Sequence, residues 1–332
     1  MTELQKFLLE RRLQEEKSRQ RVVRIVSQVF LYLFLAIMAL IIVFPFYFML
    51  ISSVKDLSEY RQTVQTLWPQ HVTMTDAKET IIPVPQNYVS AFSTAKLKDL
   101  FMNTLYVGVV STALSLVITV VTAFVFARLE FKGKNAMFAA LLATMMIPGE
   151  LFTITNYQTV SNFLGLKTLG TSMFETNREL AVKLIEMGDW KNTFTVLIVP
   201  FLVSVFYIYL LRQNFLQIPN ELYLAAKVDG TSDIKYLWKV MIPLAFPTLI
   251  SITILKMMGA WNSYVWPRLV ANDEAHSLIT NGLRNAFTTT AGDVDVPVQM
   301  AAVAIVSAPL FLVFIFLRKY IMKGVSRSGI KG

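Results

Sequence analysis

Cysteine is absent from this 332-residue chain, histidine occurs twice, and Asp and Glu number 22 against 31 Lys and Arg. Without cysteine there can be neither a disulfide framework nor a cysteine metal site. No G-x-x-x-x-G-K-[ST] run occurs, so the chain lacks the usual P-loop for nucleotide phosphates. There is no H-E-x-x-H either, and His71 and His276 both fall in polar segments, where a solvated histidine is the plainer reading than a metal ligand. No grouping of nucleophile, base and metal ligand stands out, which disfavours an embedded enzyme. Charge itself is scarce: charged residues make up 16% of the chain, and they are gathered into clusters that leave long stretches with none.

What fills those stretches is apolar. Hydrophobic residues make up 55% of the chain and the mean hydropathy is +0.52, too apolar for an ordinary soluble domain of this length. A helix needs about 20 mainly apolar residues to cross a hydrocarbon core of ~30 Å, and six candidate spans meet or approach that length. The first lies between Arg24 and Lys55, the second between Asp99 and Arg128, the fourth between Lys191 and Arg212, and the sixth between Asp295 and Arg318. The third, from Lys134 to Glu150, encloses only about 22 Å of helix at ~1.5 Å per residue; it is expected to kink at Pro148 and Gly149 and to continue beyond them. The fifth runs from Val240 to Pro267 and contains one charge, Lys256. The first span is too long for a signal peptide and no small-residue cleavage site follows it, so it is expected to remain as an anchor.

Basic residues fall on alternate sides of these spans. Residues 1–24 carry seven Lys and Arg against four acids, 128–134 three against one, 212–239 four against three, and the tail from Arg318 five against none. The intervening segments 55–99, 150–191 and 268–295 are neutral or acidic. The positive-inside rule therefore places both termini and the 212–239 loop in the cytosol. This distribution accounts for the net charge of +9 without nucleic acid. The basic lead is expected to be a helix drawn to anionic headgroups of the membrane lipid, with a partner-docking arm as the alternative. Residues 55–98 are expected to be an irregular external loop with short helices, and 171–192 an external insertion with a helical middle. The spans as bounded contain no Asp or Glu, whereas ion-coupled carriers keep carboxylates in the membrane for the ion. An extended third span could bring Glu150 in, so an ion-coupled secondary carrier stays as an alternative.

One cytosolic stretch reads differently from the rest. In "IPNELYLAAKVDGTSDIKYLWKVMIPLAFP" a helix is expected to start at Asn220 as N-cap, with Glu221 in its first turn, and to end at Gly230 in a left-handed position. Leu222, Ala225, Ala226 and Asp229 share one side by three-and-four spacing. Thr231 or Ser232 can cap a second helix in which Ile234, Leu237 and Met241 lead into the fifth span. The product is a stiff helix, turn, helix elbow whose small alanines let another surface approach closely, as in docking into a groove; a helix resting on headgroups is the alternative.

This stretch resembles the cytoplasmic loop of the binding-protein-dependent ABC importer permeases. It keeps Pro219, Glu221, Leu222, Ala225, Ala226, Asp229, Gly230 and Pro243. Where the family's motif carries Glu, this chain has Leu224, and Glu221, one turn earlier, is the candidate substitute. "GAWNSYVWP", with Trp261, Asn262, Trp266 and Pro267, resembles a motif of the carbohydrate, maltose-type branch, and "YIMKGVSRSGIKG" resembles that branch's C-terminal tail. The resemblance covers roughly residues 30–55 and 99–332. It implies an all-α membrane protein with six transmembrane helices in the type I ABC importer transmembrane fold, multi-pass in the cell membrane. Its expected parts are a cytosolic helix 1–24, a first span 25–54, an external loop 55–98, a core 99–317 holding spans 2–6, and a cytosolic tail 318–332. It further implies a permease subunit that moves an oligosaccharide by alternating access and performs no bond chemistry. By the same resemblance, ATP is expected to be bound and hydrolysed by two partner ATPase subunits. A second homologous permease and an extracytoplasmic solute-binding protein complete the expected assembly. A permease for another small solute remains the near alternative.

The ATPase-coupling residues implied are Glu221, Leu224, Ala225, Ala226, Asp229 and Gly230. For the substrate path the candidates are Lys256, Trp261, Asn262, Tyr157 and Tyr207, with Asn156 beside them. Lys256 lies some 20 Å along its span at ~1.5 Å per residue, where a cation is costly and faces a cavity or a partner; a structural pairing and a contact to an acidic or hydroxyl-rich solute both stay open. Trp261, Tyr264 and Trp266 fit either the membrane interface or stacking on a sugar ring. Asn262 fits either a hydroxyl or a neighbouring helix.

Overall fold

The computed structural model describes residues 3–75, 85–287 and 295–326, with side chains over 20–75, 85–287 and 295–316. Among these residues every named element is helical, and extended pairing is limited to one isolated bridge between Met74 and Pro85. The Lys-Gly end of the C-terminal motif lies outside the described residues. The chain divides into two compact units, Met1–Tyr88 with Val296–Ala304, and Val89–Asp295 with Ile305–Gly332.

In the first unit, α1 (Glu3–Val54) joins the basic lead and the first apolar stretch into one 52-residue helix. Its apolar part, Gln20–Val54, spans 35 residues, longer than the ~30 Å core requires. Phe30, Tyr32 and Leu40 are exposed along it, as a lipid-facing surface would be. Beyond its end, α2 (Leu57–Tyr60) and the following loop close a polar knot. Lys55 Nζ donates to the Thr66 carbonyl and, at 2.7 Å, to Thr66 Oγ1, and lies 3.6 Å from Glu59. The Glu59 carboxylate accepts from Thr66 Oγ1 at 2.7 Å and from the Gln70 and His71 amides at 2.9 Å each. Burial alone would raise the Glu59 carboxyl, but these hydrogen bonds and Lys55 hold it below the ordinary carboxylate range. The segment is thus short helices and loop, as its composition suggests, yet tightly tied.

The second unit is organised on α4 (Leu97–Arg128), which follows α3 (Gln86–Thr94) and is the one long unbroken span inside it. Thr104, Ser111, Thr112, Ser115 and Thr119 are buried along one face. Small residues at three-and-four spacing let neighbouring helices approach. A Cβ at Gly108 would lie 3.0 Å from Met257 Sδ. The remaining apolar segments are bent pairs. The third comprises α5 (Lys134–Ala143), a 3-10 turn to Met146, and α6 (Leu151–Ser161) running on into α7 (Leu166–Ser172), bent by 98°. The break falls at Pro148 and Gly149, where the sequence places it. A helical hairpin follows, α7 against α8 (Arg178–Gly188), with Asn177 capping α8 by accepting from the Leu180 amide at 3.1 Å.

Two further bends were not expected. The fourth segment reads as one clean span but forms α9 (Phe194–Ile198), continued by a 3-10 turn to Phe201, and α10 (Val205–Leu216), bent by 47°. Pro200 lacks the N–H that would hold the Val196 carbonyl in the ladder. The fifth segment is likewise divided. Helix α11 (Asn220–Val228) is followed by α12 (Asp233–Tyr236), a π turn over Leu237–Met241, α13 (Ile242–Leu244) and then α14 (Phe246–Trp261), with an 80° bend before α14. Pro243 and Pro247, four residues apart, remove two ladder donors one turn apart. Prolines are tolerated in membrane helices because neighbours satisfy the freed carbonyls, so an uncharged run does not reveal its own break. Short helices α15 (Val265–Val270) and α16 (Ile279–Phe287) precede α17 (Val296–Ser326), whose apolar window is Val296–Phe316. Among the described residues three helices are long and apolar enough to cross a membrane, and there are up to six spans if each bent pair is one.

Candidate functional site

Two places in the second unit gather the residues singled out above. At the elbow, α11 begins one residue earlier than the N-cap reading: Pro219 is the capping position and Asn220 the first helical residue. Its end is a Schellman motif. Gly230 takes φ +68°, its N–H reaches the Lys227 carbonyl at 3.0 Å, and the Thr231 N–H reaches the Ala226 carbonyl at 2.8 Å. Ser232 then caps α12 by accepting from the Lys235 amide at 3.4 Å.

The two arms are stapled through one carboxylate. Asp233 Oδ1 accepts from Tyr223 Oη at 2.7 Å and pairs with Lys227 Nζ at 2.7 Å. The hydrogen bond to Asp233 raises the Lys227 ammonium above its ordinary range. Tyr223 stacks edge-on against Tyr236, ring centres 5.1 Å apart. Tyr236 is buried in a core with Ala123, Phe124 and Ala127 of α4 and Leu211 and Phe215 of α10. The adjacent alanines divide: Ala226 packs with Tyr223 against that core, whereas Ala225 is exposed. Glu221, Leu224, Ala225 and Val228 therefore form the outer stripe, with Leu224 at 56% and Val228 at 88% exposure. Asp229 and Gly230 are also exposed. Ile234, read as leading into the span, is exposed too, while Leu237 and Met241 are buried.

Two arginines tie this core to the helix ends beside it. Arg128, at the end of α4, donates to the carbonyls of Phe215 at 2.9 Å and Ile218 at 2.5 Å. Arg212 of α10 returns the contact to the Phe126 carbonyl at 3.0 Å and lies 4.0 Å over the Phe138 ring. Each guanidinium adds a charged donor to carbonyls at or just beyond a helix C-terminus. Sequence counts these arginines only as charge; their reciprocal capping is tertiary.

The second place is a cavity of about 400 Å³, inside the ~300–1,000 Å³ range of small-molecule sites. Its polar lining includes Lys256, Ser111, Ser204, Ser263 and Tyr207, with Trp266 beside them. The break after Phe201 opens it: Pro200, Phe201, Val203 and Ser204 all line the wall. Lys256 Nζ donates to the Phe201 carbonyl at the C-terminal end of the first half-helix. Trp266 Nε1 donates at 3.0 Å to the Val196 carbonyl, the one that Pro200 leaves unpaired. At the loop that follows, Tyr264 Oη accepts from both Arg268, at 2.9 Å, and Arg284. These contacts, that from Arg284 foremost, hold the Tyr264 phenol below its ordinary range.

Of the path candidates, the structure brings Lys256 and Tyr207 to this cavity. Trp261 is buried elsewhere, its ring 5.3 Å from that of Phe101. Tyr157 packs with Val160 and Trp266 outside the lining, and Asn262 is exposed at the end of α14. The three serines were missed, because a hydroxyl inside an apolar run is an ordinary helix residue until a break sets it against empty space.

The arrangement is an apolar helical body with an inward polar cavity and an outward elbow, and comparison with known proteins places it. The family model described as "Binding-protein-dependent transport system inner membrane component" matches residues 13–327. The chain belongs to this family. As such a component it is a multi-pass protein of the cell membrane, and its family implies ATPase and substrate-binding partners. It is 27% identical to the arabinooligosaccharides transport system permease protein AraQ of Halalkalibacterium halodurans, over 90% of this chain and 94% of that protein. It is 26% identical to the inner membrane ABC transporter permease protein YcjP of Escherichia coli, over 93% and 98%. A crystal structure of a bacterial ABC transporter involved in the import of the acidic polysaccharide alginate shares its fold, with TM-score 0.70 at 21% identity, covering 90% of this chain and 96% of that one.

Proposed function

We propose that this family member is the permease subunit of an ATP-driven importer for an oligosaccharide. The observation that carries the reading is the family match over nearly the whole chain, joined to an elbow whose outer stripe is apolar, exposed and rigidly backed. The relative named for arabinooligosaccharides and another, from Streptomyces coelicolor, named for diacetylchitobiose uptake support a carbohydrate. Both termini and the elbow face the cytosol on the distribution of basic residues. Glu221, Leu224, Ala225, Asp229 and Gly230 present the surface that a separate ATPase grips, and Ala226 backs it from inside. With Leu224 in the stripe the centre of the contact is apolar, and Glu221 and Asp229 supply negative charge at its two ends. A second permease completes the path, of which the 400 Å³ cavity forms one wall. This chain makes and breaks no bonds. ATPase closure pushes the elbow, and the push changes which side the cavity opens to.

The test is reconstitution of the chain with its ATPase, second permease and solute-binding protein in vesicles, followed by ATP-dependent uptake of labelled oligosaccharides. Uptake that requires all components is expected. Concentration of a solute by this chain alone would overturn the reading in favour of a secondary carrier. A second solute class is favoured by one observation: a relative of Yersinia pestis, 21% identical, is named for sn-glycerol-3-phosphate transport. The same assay with that compound distinguishes the two.

A further inference from the structure

The cavity carries one charge. Among the described residues its lining includes Lys256 and no Asp or Glu, and the apolar stretch that contains Lys256 holds no carboxylate between Val240 and Pro267. An ammonium group has three donors, and the hydrogen bond to the Phe201 carbonyl occupies one. That carbonyl is the negative end of a half-helix, which offsets part of the charge but cannot neutralise a whole unit of it. A cation kept in a membrane without an anionic partner is costly. The serines and Tyr207 add hydroxyl donors and acceptors around it, the pattern that suits a polyhydroxylated solute.

From this we infer that the cavity selects a sugar unit bearing a single carboxylate, which serves as the counter-ion of Lys256. The inference deepens the oligosaccharide reading and rests on it. A carboxylate carries one negative charge, matching one lysine. A phosphate monoester carries about −1.5 to −2 at pH 7, more than one ammonium offsets, and the cavity lining contains no arginine to hold it by a bidentate fork. The stretch from the end of α14 into α15 contributes Ser263, Trp266 and Pro267 to the wall and also carries Tyr264, on whose phenol Arg268 of α15 and Arg284 of α16 converge. Two positive charges therefore gather beside the stretch that borders the cavity, as an electrostatic guide for an anion would.

The experiment uses the complete transporter in vesicles and measures ATP-dependent uptake of a digalacturonate against the neutral digalactoside of the same linkage, each offered with and without the other. The readout is the ratio of acid to neutral uptake. Lys256→Gln keeps a donor for the Phe201 carbonyl and removes the charge; it is expected to lower the ratio at least tenfold. Lys256→Arg keeps the charge and is expected to hold the ratio within threefold of the parent. A ratio unchanged in Lys256→Gln overturns the inference, as does an equal loss in Lys256→Arg, which would assign the lysine to support of the helix break. Titration of the purified complex without the solute-binding protein shows whether the preference resides in the membrane subunits: an acid preference absent from the titration also overturns it. Failure to take up any carbohydrate defeats the proposed function instead, so the two failures are separate.

Discussion

The elbow and the cavity both arise where a helix stops, yet they dispose of the freed backbone groups in opposite ways. At the elbow the carbonyls at the turn are returned to the backbone: Gly230 and Thr231 close on the Lys227 and Ala226 carbonyls, and Asp233 ties Tyr223 to Lys227. The largest apolar side chains left facing outward are Leu224 and Val228, with Glu221 and Asp229 near the two ends of the helix. At the cavity the break after Phe201 is closed by one lysine and one indole, and hydroxyls are left along the wall. A part that transmits force has its donors spent and its apolar surface free; a part that receives a polar solute has the reverse. The difference separates a lever from a binding site with no appeal to where either lies in the chain.

The largest expected effect breaks the link between the lever and the spans. Arg128→Met leaves the Phe215 and Ile218 carbonyls without their guanidinium. Hydrogen bonds to charged groups contribute about 1.5–3 kcal/mol each, so uptake should fall by at least a hundredfold, with reduced thermal stability of the purified complex. Survival of half the parental uptake would show that Arg128 does not join elbow to helix ends. Next is Gly230→Val. The left-handed position costs an L-residue roughly 1–2 kcal/mol, and more for a β-branched side chain. A Cβ there meets no atom within 4 Å, so the penalty is conformational and not steric. Uptake should fall about tenfold while ATPase activity continues, and Gly230→Asn, which tolerates this conformation, should restore most of it. Equal loss in both variants would point to the surface and not to the turn. A smaller change is expected of Tyr223→Phe, which removes one of two bonds to Asp233 and should reduce uptake two- to threefold.

How much of this comparison was legible beforehand depends on what each part is made of. The spans α1, α4 and α17 follow from the absence of charge over more than twenty residues, a one-dimensional property that no tertiary contact overrides. Gly230 was legible for a similar reason, since the left-handed turn belongs to the residue itself. The kink at Pro148 and Gly149 was expected because the apolar run was too short to cross unbroken. Pro200 and Pro247 sit in runs of ample length, so nothing in composition distinguished a tolerated proline from a break. Lys256 announced itself as a charge, but its partner is a backbone carbonyl, which has no letter in the sequence. Trp261 and Trp266, read together as one motif, part company in space: one packs on Phe101 and the other caps a carbonyl at the cavity. The Asp233 staple joins residues on two arms of a turn, and neither its geometry nor the division of Ala225 from Ala226 follows from helical spacing alone.

The smallest effect tests the cavity side, and it asks whether Trp266 is there for its ring or for its N–H. Pro200 cannot donate to the Val196 carbonyl, and the indole does so at 3.0 Å. Trp266→Phe keeps an aromatic ring against Phe201 but removes the donor, and an unsatisfied buried carbonyl costs about 1–3 kcal/mol. Pro200→Ala restores a backbone donor four residues on from Val196. If the indole stands in for the proline's missing N–H, the two substitutions are coupled: Trp266→Phe alone lowers the melting temperature of the complex, and adding Pro200→Ala recovers much of the loss. Because the residues share one acceptor, their effects should be non-additive by ~0.5–3 kcal/mol in a double-mutant cycle. Additive effects would mean that the ring and not the N–H holds the wall in place. The recovered double variant should still transport less well than the parent, because a straightened α9–α10 segment draws Ser204 and the Phe201 carbonyl back into the helix and closes the space that the break had opened.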